Sequence, residues 1–412
     1  MELTNNKNNI WIFCHYAQQP PYNTMLRYHN WGKELVNRDY GVTIVSASTV
    51  HNTDVDLIDI LGKDNDVVDS ISYKYLKTPK YSGNGISRIK NMLSFALKLY
   101  RLRSEKNRPD TIVVCEAYLY FFAKLFFPKI PIITDIVDLW PLSIVEYANV
   151  NPSNPLIKIL YSIEKWAYIK TDALVFSMEG GPDYVKERSY STKVNFDKVF
   201  HINMGIDIKT ADQNLSKNIN NIPFDESKKN IVYIGSIRKA NNIKQICDVA
   251  LEIQKDPSLK DVFFHIFGNG DELDSLISYC DKNSIENIKF YGRVLKEDIP
   301  SILSHSTANI LTYKQVSLMK YGGSQSKLFD YLASAKPIIC NAKFGYNLIE
   351  RYDCGIVTEN QSEAAFTKVI KEICSLSDEK LELMGENARK AALDYDQPVL
   401  VDKLIKVIDY VK

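Results

Sequence analysis

Short runs of β-branched and aromatic residues alternate with stretches of helical periodicity, and the alternation runs through twice. In the first half the strand candidates are Ile10–Cys14, Val42–Ser46, Thr111–Cys115, Ile130–Ile136, Ala173–Phe176 and Val199–Ile202. Helical stretches such as Leu26–Asn37 and Arg88–Ser104 lie between them. A polar, Asn-rich stretch from about 208 to 229 follows, has no apolar period and is expected to be a linker. The pattern then restarts with Ile231–Ile234, Val262–Phe267, Ile288–Tyr291, Ala308–Leu311 and Pro337–Cys340. Strands separated by helices predict βαβ units and parallel sheets. The expected fold is therefore α/β, with two Rossmann-like domains, 1–207 and 208–396, facing a central cleft. A helix over 397–412 is a candidate to pack back on the first domain. At 412 residues the chain exceeds what one core supports, in keeping with two domains.

Composition narrows the class. The net charge of +1 excludes a polyanion binder that works through overall charge. Seven scattered cysteines, none in a C-x-x-C pair, predict buried reduced thiols in a cytoplasmic protein. The N-terminus MELTNNKNN is too polar for a signal peptide, and no apolar run approaches the about 20 residues of a membrane span.

The chemistry concentrates at strand ends of the second half. In Tyr233-Ile-Gly235-Ser-Ile-Arg238-Lys239-Ala-Asn-Asn242 a strand ends in glycine, passes two cations and reaches a helix start. Free N–H groups and cations there suit a diphosphate, although a solvated turn would read the same. Gly268-Asn269-Gly270-Asp-Glu272 and Phe290-Tyr-Gly292-Arg-Val294 end two further strands. Tyr321-Gly-Gly323-Ser324-Gln325-Ser326-Lys327-Leu-Phe-Asp330-Tyr331 runs from a flexible loop into a helix. Lys327 and Asp330 share a helical face there, so a cation for phosphate stands beside a carboxylate for ribose hydroxyls; the alternative is a surface ion pair.

These loops, in this order, resemble the family 4 glycosyltransferases of the GT-B fold, which retain configuration at the transferred sugar. Gly268-to-Glu272 resembles that family's G-x-G-x-E turn, Phe290-to-Val294 its F-x-G-x-V strand end, and Gly322-to-Asp330 its E-x7-E segment with Gly and Asp in place of the two Glu. Asn203-Met-Gly-Ile-Asp207 and Lys336-Pro337-Ile-Ile resemble its N-G-V-D and G-K-P-V-I segments. Tyr321-to-Tyr331 and Asp135-Ile-Val-Asp138-Leu-Trp-Pro141 are most similar to the subgroup that builds bacterial O-antigen and capsule, including N-acetylfucosamine-type transferases. The resemblance implies a UDP-sugar donor, a lipid-linked or saccharide acceptor, and a diphosphate stabilised by Gly235, Arg238, Lys239, Ser326, Lys327 and helix N-termini, with no metal or other cofactor. Gly323, Ser324 and Gln325 would face the donor sugar, and Gly268, Asn269, Val294 and Asp330 the nucleoside.

The first half is expected to carry acceptor recognition through Tyr22, Asn23 and Arg27. His15, Glu116 and Asp138 stand at strand ends as catalytic candidates, since carboxylates there can orient a hydroxyl or stabilise oxocarbenium-like charge. Caps and loop hydrogen bonds are the plainer roles for each. The two D-x-D matches, Asp54-Val-Asp56 and Asp64-Asn-Asp66, sit in a polar stretch and read as solvated loops rather than metal ligands.

Between Tyr73 and Arg108 ten Lys or Arg residues face a single acid, Glu105, while Met92, Phe95, Leu99 and Leu102 recur at helical spacing. With the aromatic run Tyr118–Phe127 this suggests peripheral contact with an anionic membrane, on the inner face of the plasma membrane. No nucleic-acid motif accompanies it. A UDP-N-acetylglucosamine 2-epimerase and a non-catalytic scaffold remain the alternatives.

Overall fold

The computed structural model describes residues 8–23, 26–51, 53–83, 85–216, 224–358 and 360–412. Thr24 of the expected acceptor loop, most of the polar N-terminus and residues 217–223 of the expected linker lie outside the described residues. The chain divides into two units, Met1–Asn203 with Gln397–Lys412, and Met204–Asp396.

Among the described residues the first unit is built on eight strands: β1 (Asn9–Phe13), β2 (Gly41–Ala47), β3 (Asn65–Val68), β4 (Ile71–Leu76), β5 (Thr111–Cys115), β6 (Ile132–Ile136), β7 (Ala173–Phe176) and β8 (Val199–His201). Their order is β3-β4-β2-β1-β5-β6-β7-β8, and every pair is parallel except β3 with β4. β1, β5, β6 and β7 are buried along their whole length, as expected of a parallel sheet covered on both faces. The order reverses between β1 and β5, whose registers place Phe13 opposite Val114. His15 and Glu116 therefore leave the sheet from neighbouring strands. The helix Gln397–Val411 packs in this unit: Arg38 reaches the Asp402 carboxylate at 3.0 Å, and the rings of Tyr410 and Phe200 are 5.3 Å apart.

Among the described residues the second unit has six parallel strands: β9 (Lys229–Ile234), β10 (Val262–Phe267), β11 (Ile288–Gly292), β12 (Ala308–Leu311), β13 (Ile338–Cys340) and β14 (Gly355–Val357). The order β11-β10-β9-β12-β13-β14 is that of a doubly wound sheet, which binds ligands where the order reverses, here between β9 and β12. Its core interleaves Ile231, Tyr233 and Ile266 from the sheet with Ile246, Ile253 and Phe366 from flanking helices.

Three differences from the expectation have local causes. The expected linker begins as a helix, Ile208–Leu215, started by Asp207, whose carboxylate accepts from the Thr210 N–H at 2.9 Å. β3 carries the polar sequence Asn-Asp-Val-Val at the sheet edge, and β14 is three residues long, so neither shows an apolar run. In the first D-x-D, Asp56 caps the helix Leu57–Leu61 and accepts from Ser48 at 2.8 Å; in the second, Asp66 pairs with Lys63 at 2.8 Å. All seven cysteines are free thiols, six of them buried. Among the described residues no helix is long and apolar enough to cross a membrane.

Candidate functional site

In the second unit the strand ends are locked to one another before any ligand is considered. Gly235 donates to the Phe267 carbonyl at 3.0 Å, Ile237 to that of Asn269 at 2.9 Å, and Gly268 to that of Gly292 at 2.7 Å. The glycines permit this approach. Gly268 has φ +143°, and a Cβ there would lie 1.7 Å from the Gly235 oxygen; one at Gly270 would lie 2.0 Å from that of Ile237. Their first physical role is turn-on-turn packing.

Lys327 extends from the first turn of the helix Ser326–Ala333 toward the end of β9. Its ammonium donates to the Tyr233 hydroxyl at 3.2 Å and to Asn241 Oδ1 at 3.1 Å. It also lies over the rings of Tyr313 at 4.4 Å and Tyr233 at 4.9 Å. Asn241 is held by its own donations to the Ser236 carbonyl and hydroxyl, and Tyr233 donates to the Ser236 carbonyl. A side chain at Gly235 would intrude on the Tyr233 hydroxyl and the Lys327 ammonium, which explains the glycine at that turn. No carboxylate among the described residues pairs with Lys327, and burial pushes its ammonium down to about 7. Arg238 and Lys239 stand exposed on the same loop. A lysine only partly protonated near pH 7, ringed by aromatic and amide groups with two exposed cations on the adjoining loop, is poised to gain charge when an anion arrives.

The helix carrying Lys327 has no side-chain cap. Gln325 precedes it and folds back over Gly323, Gly322 takes φ +100°, and Ser326 is exposed at the first helical position. Asp330, on the same helix, is bound bidentately by Lys296 at 2.6 and 2.7 Å. Its carboxylate thus faces the segment after Val294, which is half-buried, and not Lys327. Asn269 is exposed and caps its own turn by accepting from Gly270 N–H. The structure brings Gly235, Arg238, Lys239 and Lys327 to the ends of β9 and β12, and adds Tyr233, Asn241 and Tyr313, which sequence reasoning did not assign. The Gly-to-cation spacing gave no hint of these three, because Lys327 is 94 and 86 residues from Tyr233 and Asn241. A cavity of about 330 Å³ lies on the other side of the helix Ser326–Ala333, between the helix Ile208–Leu215, Pro300 and Arg389, and Asp330 is part of its lining.

In the first unit His15 is buried between the rings of Tyr16 and Phe95. Its Nε2 meets Asn91 Oδ1. Asn91 donates both amide hydrogens elsewhere, to Thr49 Oγ1 and the Pro79 carbonyl, so Nε2 of His15 must carry the proton. Burial pushes His15 down to about 4, so the ring is neutral near pH 7. Glu116 adopts φ +96°, a strained conformation for a residue with a side chain. Burial pushes its carboxyl up to about 7; Arg88 opposes this and the Asp138 carboxylate adds to it. Asp138 is exposed at the end of β6. Arg88 donates to the Tyr16 hydroxyl at 2.8 Å and joins this group, although its sequence context marked it only as part of a basic stretch.

Arg27 is placed differently from the acceptor contact expected of it. It lies inside the unit, held bidentately by Asp135 at 2.9 and 3.0 Å and donating to the carbonyls of Asn203 and Ile202 at 2.6 and 2.8 Å. Tyr28 also donates to Asp135, and Trp31 stacks on the guanidinium at 4.1 Å. A fully enclosed guanidinium, bonded to Asp135, Asn203 and Ile202, fastens the helix after β1 to the ends of β6 and β8 and presents no exposed surface to an acceptor. Tyr22 is half-buried, and Asn23 folds its loop by donating to the Tyr16 carbonyl at 2.8 Å.

Residues 216–391 match the family model of the Glycosyl transferases group 1. A comparison with curated proteins finds no match. Among solved structures, sucrose-phosphate synthase from Thermosynechococcus elongatus superposes with a TM-score of 0.75 at 12% identity, covering 98% of each chain. Anabaena HepE in complex with UDP gives 0.68 at 11% identity, covering 98% of this chain and 99% of that one. WaaG, a glycosyltransferase involved in lipopolysaccharide biosynthesis, gives 0.68 at 14%, covering 97% and 99%. The chain has the two-domain GT-B fold, and the group 1 match over its second unit supports a nucleotide-sugar glycosyltransferase.

Proposed function

We propose that the protein transfers a sugar from a UDP-sugar to a lipid-linked or saccharide acceptor, with retention at the anomeric carbon, in the assembly of a bacterial surface polysaccharide. The carrying observation is Lys327: a lysine paired with no carboxylate among the described residues, at the point where the strand order reverses, with Arg238 and Lys239 exposed on the adjoining loop. As the bond from the anomeric carbon to the diphosphate breaks, negative charge grows on the leaving oxygen. Fixed cations and uncapped helical N–H groups stabilise that charge, which is the task a metal performs in metal-dependent transferases. Asp330 would receive the ribose hydroxyls, sharing its carboxylate with Lys296.

UDP as the nucleotide is supported by the fold shared with HepE, whose structures hold UDP and UDP-glucose. An acetamido-deoxy sugar and a family 4 assignment rest on the segment Tyr321–Tyr331. Glu116, His15 and Asp138 would act on the reacting sugars, with Tyr22 and Asn23 toward the acceptor. The protein would work in the cytoplasm.

Calorimetric titration with UDP of the wild type, Lys327→Met and Asp330→Ala tests the reading. Both variants should bind UDP at least tenfold more weakly. Unchanged affinity in both removes the donor site.

A further inference from the structure

Three neighbouring helical elements of the first unit leave apolar residues in solvent. On Ile86–Lys98 and the 3-10 helix Leu99–Ser104 that continues it, the side chains of Ile86, Ile89, Leu93, Leu97 and Tyr100 are exposed, spaced three or four residues apart along one face. This stripe is separate from Phe95, Leu99 and Leu102, which face the core. Ala117–Phe126 exposes Phe121 and Leu125, and Pro155–Lys170 exposes Leu156, Ile159 and Trp166. The residues are not marginal cases: Leu97, Leu125 and Ile159 are 57%, 59% and 56% exposed.

The stripes form one surface. Ring centroids run from Tyr100 to Phe126 at 5.7 Å, Phe126 to Phe122 at 6.3 Å, Phe122 to Phe121 at 5.2 Å, and Phe121 to Trp166 at 5.6 Å. An aromatic chain thus crosses all three elements. Over their spans, 86–104, 117–126 and 155–170, there are nine Lys or Arg residues and one acid. That acid, Glu164, is buried under the hydroxyls of Tyr184 and Tyr190 and contributes nothing to the exposed face.

We infer that this three-helix face docks on an anionic lipid bilayer, its aliphatic and aromatic side chains entering the headgroup boundary and its lysines and arginines lying over lipid phosphates. A run of exposed apolar side chains that continues across three adjoining helical elements signals a partner. The charge selects which one. A second copy of the chain would bring a like set of cations against this set. Nucleic acid would leave Ile86, Leu93 and Leu97 without use, whereas the bilayer boundary accepts aliphatic, aromatic and cationic groups together. The inference does not depend on the transferase reading.

Flotation with vesicles tests it, without any sugar nucleotide. The wild type should float with phosphatidylglycerol–phosphatidylcholine vesicles and stay behind with phosphatidylcholine alone. Leu97→Glu with Leu125→Glu should reduce flotation more than tenfold, and Lys90→Gln with Arg101→Gln about fivefold for each charge removed. The altered side chains are exposed, so melting temperature and UDP affinity should stay at wild-type values, which separates lost docking from lost folding. The inference is overturned if the wild type ignores anionic vesicles or if the Leu97→Glu, Leu125→Glu chain floats as well as the wild type. It is equally overturned if the wild type is a lipid-free dimer that this substitution dissociates.

Discussion

Lys327 and Asp330 stand three residues apart on one helix and answer to different partners: the ammonium to Tyr233 and Asn241, the carboxylate to Lys296 at 2.6 Å. Opposite charges at that spacing ordinarily neutralise each other. Here they do not, and among the described residues the lysine meets hydroxyl, amide and ring groups but no carboxylate.

The first prediction concerns that cation's proton. With its ammonium pushed down to about 7, Lys327 is largely neutral at pH 8, and a bound diphosphate would restore its charge. UDP binding at pH 8 should therefore take up a proton, read as a dependence of the calorimetric heat on buffer ionisation enthalpy. Lys327→Met should abolish the uptake and weaken UDP binding roughly 10- to 100-fold. In the ligand-free protein, between about 7 and the ordinary lysine value of 10.5, the unfolded chain holds a proton that the folded chain has lost. Wild-type stability should gain from this group as pH rises through that window, and Lys327→Met should lose the gain.

Glu116 predicts an opposed pH dependence. Its carboxyl is pushed up to about 7 from 4.5, so between those values the folded chain keeps a proton the unfolded chain has released. Its contribution to stability is present below about 4.5 and is lost as pH rises toward 7; Glu116→Gln should remove that slope from denaturant melts. Glu116→Gly relieves φ +96° and should stabilise the fold by about 1 kcal/mol while lowering turnover. Unchanged turnover in both variants would remove Glu116 from the chemistry.

Gly268→Ala and Gly270→Ala should each cost about 3 kcal/mol or more, because the new Cβ meets a backbone oxygen that the strand-end bonds hold in place. Gly292 has φ +72° but open space around it, so Gly292→Ala should cost only about 1–2 kcal/mol. Chemical denaturation of the three variants checks the ranking.

Arg27→Ala should destabilise by about 3–5 kcal/mol, since it strands the Asp135 carboxylate in the interior. Arg27→Met with Asp135→Leu should recover much of that loss. Wild-type stability in Arg27→Ala with a loss confined to acceptor binding would instead return Arg27 to the surface role its position after the first loop suggested.

What the sequence disclosed was what is local. β5, β7, β10 and β12 lie where their β-branched runs predict, to the residue, because a strand buried on both faces needs no partner information to be recognised. Glycine turns and cations at strand ends were legible for the same reason. β3 was not, being a polar edge strand defined by its pairing with β4. Nor were Arg27 with Asp135, 108 residues apart, or Lys296 with Asp330, 34 apart: a charge announces itself in sequence, its counterion does not. The basic helix misled in another way. Phe95, Leu99 and Leu102 were the visible period, but a helix with two apolar faces shows only one clear stripe until the structure says which is covered.

The helix Gln397–Val411 belongs to the first unit, although the whole second unit precedes it in the chain. Leu400, Val401, Leu404, Val407 and Ile408 fill that unit's core. Synthesis thus reverses the expected order of maturation: Met204–Asp396 has all its strands before the amino-terminal sheet receives its last covering helix. A chain stopped short of residue 397 would keep the fold of Met204–Asp396 intact and leave the sheet carrying His15 and Glu116 bare on one flank.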